Sequence, residues 1–289
     1  MNIDNIVTGE KLQKIADIYI GDYNSFEYNP NIQIEKHKQF DINQFKNITY
    51  YNNPKIVFCY GHFLKELSEY IDCFLNDFVL ISHNSDENII YEKHFVKIIN
   101  CKKIIKWFSQ NISFKHNKLE FIPIGIANSM WEHGNLNMFK YIFEYYDENK
   151  IKQAKQRHIY MNFKIETNMK KRTICYNELH KKIPFLEKIK PFYNLLQLIE
   201  YKYCICPEGN GFDTHRLWEC FYLKVVPIVI KTDFIEIIRQ TDLPMIVLNS
   251  WSELDVNNMP EYDSFDFTSS VKFLKINYYE NKIRDLFEN

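Results

Sequence analysis

The chain has 289 residues, 46% of them hydrophobic, 25% charged and 16% aromatic, which supplies ample apolar surface for a packed core and excludes wholesale disorder. Its 36 basic and 37 acidic residues leave a net charge of -1, without the basic footprint of a protein that wraps duplex DNA or RNA. Apolar runs such as 225–230 are strand-sized, far short of the roughly 18–20 residues of a membrane-spanning helix, and the opening MNIDNIVTGE lacks the basic and apolar regions of a signal peptide, so a soluble, cytoplasmic chain is expected.

A helical pattern over about 10–20 is followed by an asparagine-rich polar stretch to about 53. KIVFCY (55–60) reads as a buried strand, and an amphipathic segment runs from 61 to about 75. FVLI (78–81) is a second strand that ends in the polar cluster SHNSDEN (82–88). A helix to about 99 and strands near 103–108 and 119–122 follow. Residues 136–155 read as a helix, aromatic on one face and charged on the other, bridging two halves. The second half alternates again: strand 158–163, helices 169–181 and 192–200, strand 201–206, helix 213–223, strand 225–230, helix 233–240, strand 245–248 and a terminal helix over about 265–289. Short apolar runs separated by helical patterns mark βαβ units and parallel sheets. The expected fold class is α/β, with Rossmann-like domains over 1–150 and 151–289 and a boundary near 150–157.

The seven cysteines are Cys59, Cys73, Cys101, Cys175, Cys204, Cys206 and Cys220, an odd number that suits free thiols in a reducing compartment better than a disulfide framework. The Cys204-x-Cys206 spacer is shorter than the two to four residues usual in zinc sites, and no second ligand pair is evident. Alternate positions on one buried strand are the preferred reading, and no metal is expected.

The cations are mostly lysine; the five arginines are Arg157, Arg172, Arg216, Arg239 and Arg284. Where lysine is the default cation, an arginine is the better candidate for a role that needs its planar fork of donors. Arg216 lies in CPEGNGFDTHRLWE (206–219), which starts at the carboxyl end of a predicted strand, passes through a loop with Gly209 and Gly211, and enters a helix with Asp213 and Thr214 as candidate caps. In open α/β sheets such junctions hold ligands, and helix N-termini attract phosphate. Arg216 is positioned to clamp a diphosphate, and Glu219, three residues on, to accept from ribose hydroxyls. Glu208 is an awkward neighbour for a diphosphate unless it turns toward a sugar hydroxyl. The alternative is that the glycines only form a turn and Arg216 and Glu219 form a surface ion pair. Neither a GxGxxG fingerprint nor a P-loop is present.

The stretch PEGNGFDTHRLWECFYLKVVPIVI resembles the C-terminal motif of exostosin-like glycosyltransferases: a glycine-bearing loop, an arginine, a Leu-Trp-Glu step and a Pro-Ile-Val strand. LPMIVL (243–248), Trp251 and Leu254 are similar to its continuation, and the likeness covers about 203–254. It departs at Lys224, where relatives often carry glycine, and no N-terminal membrane anchor of the kind common in the family is expected from the opening residues. The resemblance implies a GT-B arrangement, two Rossmann-like domains facing a cleft, with the nucleotide-sugar donor on Gly209, Asn210, Gly211, Thr214, His215, Arg216 and Glu219. The acceptor would be a glycan or glycoconjugate.

An inverting transfer also needs a base, expected from the N-terminal half at a strand's carboxyl end. His83 and Asp86 are the leading candidates, against readings in which Asp86 caps a helix and His83 packs against its loop; His62 and the 123–133 cluster with Trp131 are weaker ones. Asn162 and Arg172, at and beyond the end of strand 158–163, are candidates for further donor contacts. With no Asp-x-Asp motif and an arginine available for the leaving group, metal-independent catalysis is expected. The competing readings are a catalytically silent carbohydrate-binding or assembly protein and a DNA-base glucosyltransferase.

Overall fold

The computed structural model describes residues 2–21, 39–40, 54–186 and 189–288; most of the asparagine-rich stretch lies outside the described residues. In chain order the elements are α1 (Gly9–Ile15), β1 (Ile18–Ile20), β2 (Gln39–Phe40), β3 (Ile56–Tyr60), α2 (Leu64–Tyr70), β4 (Phe78–His83), α3 (Lys93–Asn100), β5 (Ile104–Ser109), β6 (Leu119–Phe121), α4 (Leu136–Tyr145), α5 (Glu148–Ala154), β7 (Arg157–Tyr160), α6 (Met169–Leu179), α7 (Pro191–Ile199), β8 (Tyr201–Ile205), α8 (His215–Tyr222), β9 (Val226–Ile230), α9 (Asp233–Ile238), β10 (Ile246–Leu248) and α10 (Ile276–Arg284). The chain is α/β with two separate parallel sheets of Rossmann-like kind. One has the order β2-β1-β3-β4-β5-β6 and the other β10-β9-β8-β7.

Two compact units result. The N-terminal unit comprises Val7–Trp131 and Ile276–Asn289; the C-terminal unit comprises Met1–Ile6 and Glu132–Lys275. The division at 131/132 differs from the 150–157 expected, and the terminal helix packs with the N-terminal unit rather than the C-terminal half. The reason is packing: Ile276, Tyr279 and Ile283 of α10 join Leu12, Phe58 and Ile81 in the N-terminal core, and Lys282 pairs with Glu120 on β6.

Two further differences have local causes. The expected helix 10–20 stops at Ile15, because Asp17 accepts from the backbone N–H groups of Lys55 and Ile56 at 2.8 and 2.9 Å and steers Ile18–Ile20 into the sheet beside β3. The expected helix 136–155 breaks in two where Asp147 caps α5, accepting from the Lys150 N–H at 2.9 Å. In the C-terminal unit, Met161, Tyr203, Ile205, Val226, Ile228 and Trp251 form a shared core, so the carboxyl ends of β8, β9 and β10 emerge together over it.

Candidate functional site

A cavity of about 370 Å³ opens at those three carboxyl ends. β8 feeds it through Cys206, Pro207 and Glu208, β9 through Val229 and Ile230, and the segment after β10 through Asn249, Ser250 and Trp251. Phe212 and Thr214 of the loop after β8, and Lys171 and Ile174 of α6, close it from the other side. The walls are mainly apolar, with Lys171, Glu208, Thr214, Thr232, Asn249 and Ser250 as the polar groups. An apolar slot with a few polar groups, at the carboxyl ends of parallel strands, is the usual form of a small-molecule site in such sheets.

Side chains from α6 hold the loop after β8. Arg172 donates from Nε to the Glu208 carbonyl and from Nη1 to the Lys164 carbonyl, each at 2.8 Å. Asn168 caps α6 through Oδ1, accepting from the Lys171 N–H at 3.2 Å, and donates from Nδ2 to the Gly209 carbonyl at 2.7 Å. Glu208 turns its carboxylate to Lys171 at the cavity wall. Gly209 and Gly211 are not at positive φ, and a Cβ on Gly209 would meet its nearest neighbour, Arg172 Nη2, at an ordinary 3.4 Å. The loop's shape therefore comes from the Arg172 and Asn168 bonds rather than from glycine freedom.

Arg216 and Glu219 share a face of α8, as their spacing predicts, but the face points inward. Arg216 Nε lies 3.2 Å from Glu219 Oε2, and the side chains are 19% and 8% exposed, so the ion pair is buried rather than at the surface. Arg216 Nη1 also donates to Asn194 Oδ1 at 3.4 Å, an oxygen that accepts from the Tyr160 hydroxyl as well. Burial is the largest single influence on Arg216 and opposes its charge, but Glu219 together with Cys204, Cys220 and Tyr160 more than offsets it and holds the guanidinium above its ordinary value. Arg172 is pulled down to about 10, chiefly by burial and then by the like charge of Arg216. Among the described residues no carboxylate pairs with Arg172, whose Nε and Nη1 are engaged by the Glu208 and Lys164 carbonyls. Arg216, Glu219 and Arg172 all lie outside the cavity lining, Arg172 behind the loop that forms its wall.

Other expected donor contacts fall apart in space. Thr214 lines the cavity and precedes α8, but its side chain makes no capping bond, and Asp213 accepts from Trp218 Nε1 at 2.7 Å instead. Asn162 donates to the Leu186 carbonyl at 2.9 Å. The His215 ring packs against His133, with centroids 5.8 Å apart, and Asn210 is exposed.

In the N-terminal unit the two expected bases separate. His83, the last residue of β4, is only 1% exposed, and its ring nitrogens sit 3.0 Å from Asn84 Oδ1 and 3.0 Å from the Pro123 carbonyl. It packs against its loop, the alternative considered for it. Asp86 is exposed just beyond. Around His83 runs a network that composition did not reveal. Glu10 Oε1 accepts from the Ser129 N–H at 2.8 Å and its hydroxyl at 2.6 Å, and Asn128 Nδ2 donates to Asn84 Oδ1 at 2.9 Å. Burial pushes the Glu10 carboxyl up. Asn84 has φ 57°, and a Cβ on Gly9 would fall 1.7 Å from Asn84 Oδ1, so glycine is required there.

Sequence reasoning passed over Lys171, Phe212, Asn249 and Ser250 as cavity residues; their only signal was position near predicted strand ends and helix starts. It also passed over a third thiol beside Cys204 and Cys206. Cys220 on α8 brings its Sγ to 3.7 Å from Cys206 Sγ, and the three sulfurs lie within 4.8 Å of one another, all buried. No protein-family model matches the sequence, and no curated protein matches it significantly.

Proposed function

We propose that the chain is a nucleotide-sugar-dependent glycosyltransferase of exostosin-like type, in a GT-B arrangement, with the donor nucleotide held by the C-terminal unit. One observation carries this reading: the apolar cavity at the carboxyl ends of β8–β10, flanked by the loop that holds the motif. A flat nucleobase suits the space between Pro207, Phe212, Ile230 and Trp251, and Asn249 and Ser250 offer polar groups to its edge. Lys171 and Arg172 supply positive charge for a diphosphate. Arg216 and Glu219 brace α8 behind the loop in this reading, so their contribution to the donor is through the loop's position. Asp86, exposed where His83 is enclosed, is the base we assign to deprotonate a glycan or glycoconjugate acceptor while the nucleotide leaves from the opposite face, an inverting and metal-independent transfer.

The enclosure of His83 favours a second reading, a nucleotide- or carbohydrate-binding protein without turnover. A thermal-shift screen against UDP-, GDP-, dTDP- and CMP-linked sugars separates the possibilities: a donor at 100 times its Kd adds about 2.7 kcal/mol of stability. Stabilisation with donor hydrolysis supports the transferase, and stabilisation without hydrolysis or transfer supports the silent reading. No stabilisation by any nucleotide overturns both nucleotide-based readings.

A further inference from the structure

We propose that Cys204, Cys206 and Cys220 form a three-thiolate site for a soft metal ion, Zn²⁺ or Cu⁺. The site lies in the layer between β8 and α8, behind the cavity, and is independent of whether a nucleotide binds in front of it.

Distance is the first support. Three thiolates about 2.3 Å from a shared ion in a trigonal arrangement lie about 4 Å from one another. The sulfurs here are 3.7 Å apart at Cys206 and Cys220, and all three lie within 4.8 Å of one another. A disulfide would require the Cys206–Cys220 sulfurs to close to about 2.05 Å and would leave Cys204 without a role. Alternation along β8 places Cys204 and Cys206 on one face, and α8, returning over that face, delivers Cys220 to the same point.

Charge is the second. A thiol buried as a small apolar group needs no cation beside it, whereas a thiolate does. Arg216 and Lys155 both act electrostatically on Cys204 and Cys220, and Arg172 acts on Cys175 first and on Cys206 second. The paired cations are therefore concentrated on the cluster, while among the described residues Cys175 has Arg172 alone. Against these three cations, Glu219 is the carboxylate paired with Arg216. Three thiolates around a monovalent or divalent cation carry a net charge of -2 or -1, which Arg216, Arg172 and, where it is protonated, Lys155 complement. Soft sulfur ligands select Zn²⁺ and Cu⁺ over harder ions. Cys206 also lines the cavity, which provides the entry path. Binding forms three metal–sulfur bonds and releases the thiol protons to solvent, with no change of oxidation state.

The test uses the full chain, reduced and kept under inert gas. Zn²⁺ is titrated in competition with a chromophoric chelator, and Cu⁺ in competition with a Cu⁺-selective chelator. The expected result is one ion per chain with sub-micromolar affinity for at least one of the two, which also decides between them. Cys204→Ser, Cys206→Ser and Cys220→Ser should each weaken binding by more than about 100-fold, beyond the loss typical of an outer partner. Cys59→Ser and Cys175→Ser should leave it unchanged. Because a buried serine can impair folding, X-ray absorption on the loaded wild type gives a second readout, three sulfurs at about 2.3 Å for Zn²⁺. Wild-type binding no tighter than micromolar, a shell with fewer than three sulfurs, or full binding by Cys220→Ser would overturn the proposal. So would a chain that forms a Cys206–Cys220 disulfide with mild peroxide yet takes up neither ion.

Discussion

The two units present the same kind of surface, the carboxyl ends of a parallel sheet, and use it in opposite ways. In the N-terminal unit the polar groups there are bonded to one another: His83 to Asn84 and Pro123, Asn84 to Asn128, and Glu10 to Ser129. In the C-terminal unit the corresponding surface is a cavity of about 370 Å³ with apolar walls, and its most charged pair, Arg216 and Glu219, is buried to one side of it. A strand-end position is thus a weak guide to chemistry. What distinguishes a site is polar groups left facing a space that a ligand can fill.

The largest effect expected from breaking this contrast is at the buried ion pair. Arg216→Met leaves Glu219 without its charge partner and should cost roughly 3–5 kcal/mol in urea unfolding. The double variant Arg216→Met/Glu219→Leu should recover most of that loss, because no charge remains to be buried. If instead Arg216→Met unfolds like the wild type and only nucleotide affinity falls, the guanidinium faces a ligand and the inward orientation is wrong.

Next comes Lys155, whose Nζ donates to the carbonyls of Ile199 and Leu223 at 2.7 and 3.0 Å, tying the ends of α7 and α8. Burial pulls its ammonium from 10.5 down to about 7, with Cys220 and Cys204 acting in the opposite direction. Between those values Lys155 binds more protons in the unfolded chain than in the folded one, so its own contribution to stability, read as the difference between wild type and Lys155→Met in the reduced, metal-free protein, should rise with pH from about 7 toward 10.5. The buried thiols Cys59, Cys175, Cys206 and Cys220, raised by burial, act in the opposite direction in both proteins. The slope is at most about 1.4 kcal/mol per pH unit, and it should vanish below about pH 7, where both states are protonated. The difference in stability between wild type and Lys155→Met should follow this rise. A variant with the same pH profile as wild type would place the titrating group elsewhere.

The smallest effect is at Lys224, which follows the end of α8 with φ 53°. The left-handed backbone there is one that glycine adopts without strain. Lys224→Gly should stabilise by about 0.5 kcal/mol, since relief of roughly 1–2 kcal/mol of backbone strain is partly offset by the entropy of an unfolded glycine. Destabilisation would mean that the lysine side chain contributes more than its backbone conformation costs.

Much of this architecture was legible in the sequence because buried parallel strands are short apolar runs; 55–60, 78–81 and 225–230 correspond closely to β3, β4 and β9. What escaped depends on distant partners. β1 looked like the end of a helix because Ile15, Ile18 and Tyr19 fit a helical period, and only Asp17's bonds to Lys55 and Ile56 end that helix. The spacing of Arg216 and Glu219 placed them on one face but could not say that Tyr160 and Asn194 wait on that side. Cys220 is separated from Cys206 by the loop and half of α8, so their approach is a product of packing rather than of spacing. The expected division near 150 missed because the chain passes between units at 6/7, 131/132 and 275/276, and long-range contacts set those points.

The most direct test of the nucleotide reading is calorimetric titration of nucleoside diphosphates into the wild type and a variant that fills the cavity. Ser250 is exposed at the cavity wall, so Ser250→Trp should occupy the base slot without disturbing the core; Asn258→Trp, exposed and outside the lining, is the control. The expected result is that at least one nucleoside diphosphate binds the wild type and Asn258→Trp alike and that Ser250→Trp loses at least about tenfold in affinity, about 1.4 kcal/mol. Equal affinity in all three proteins, or no binding to the wild type by any of them, would contradict it.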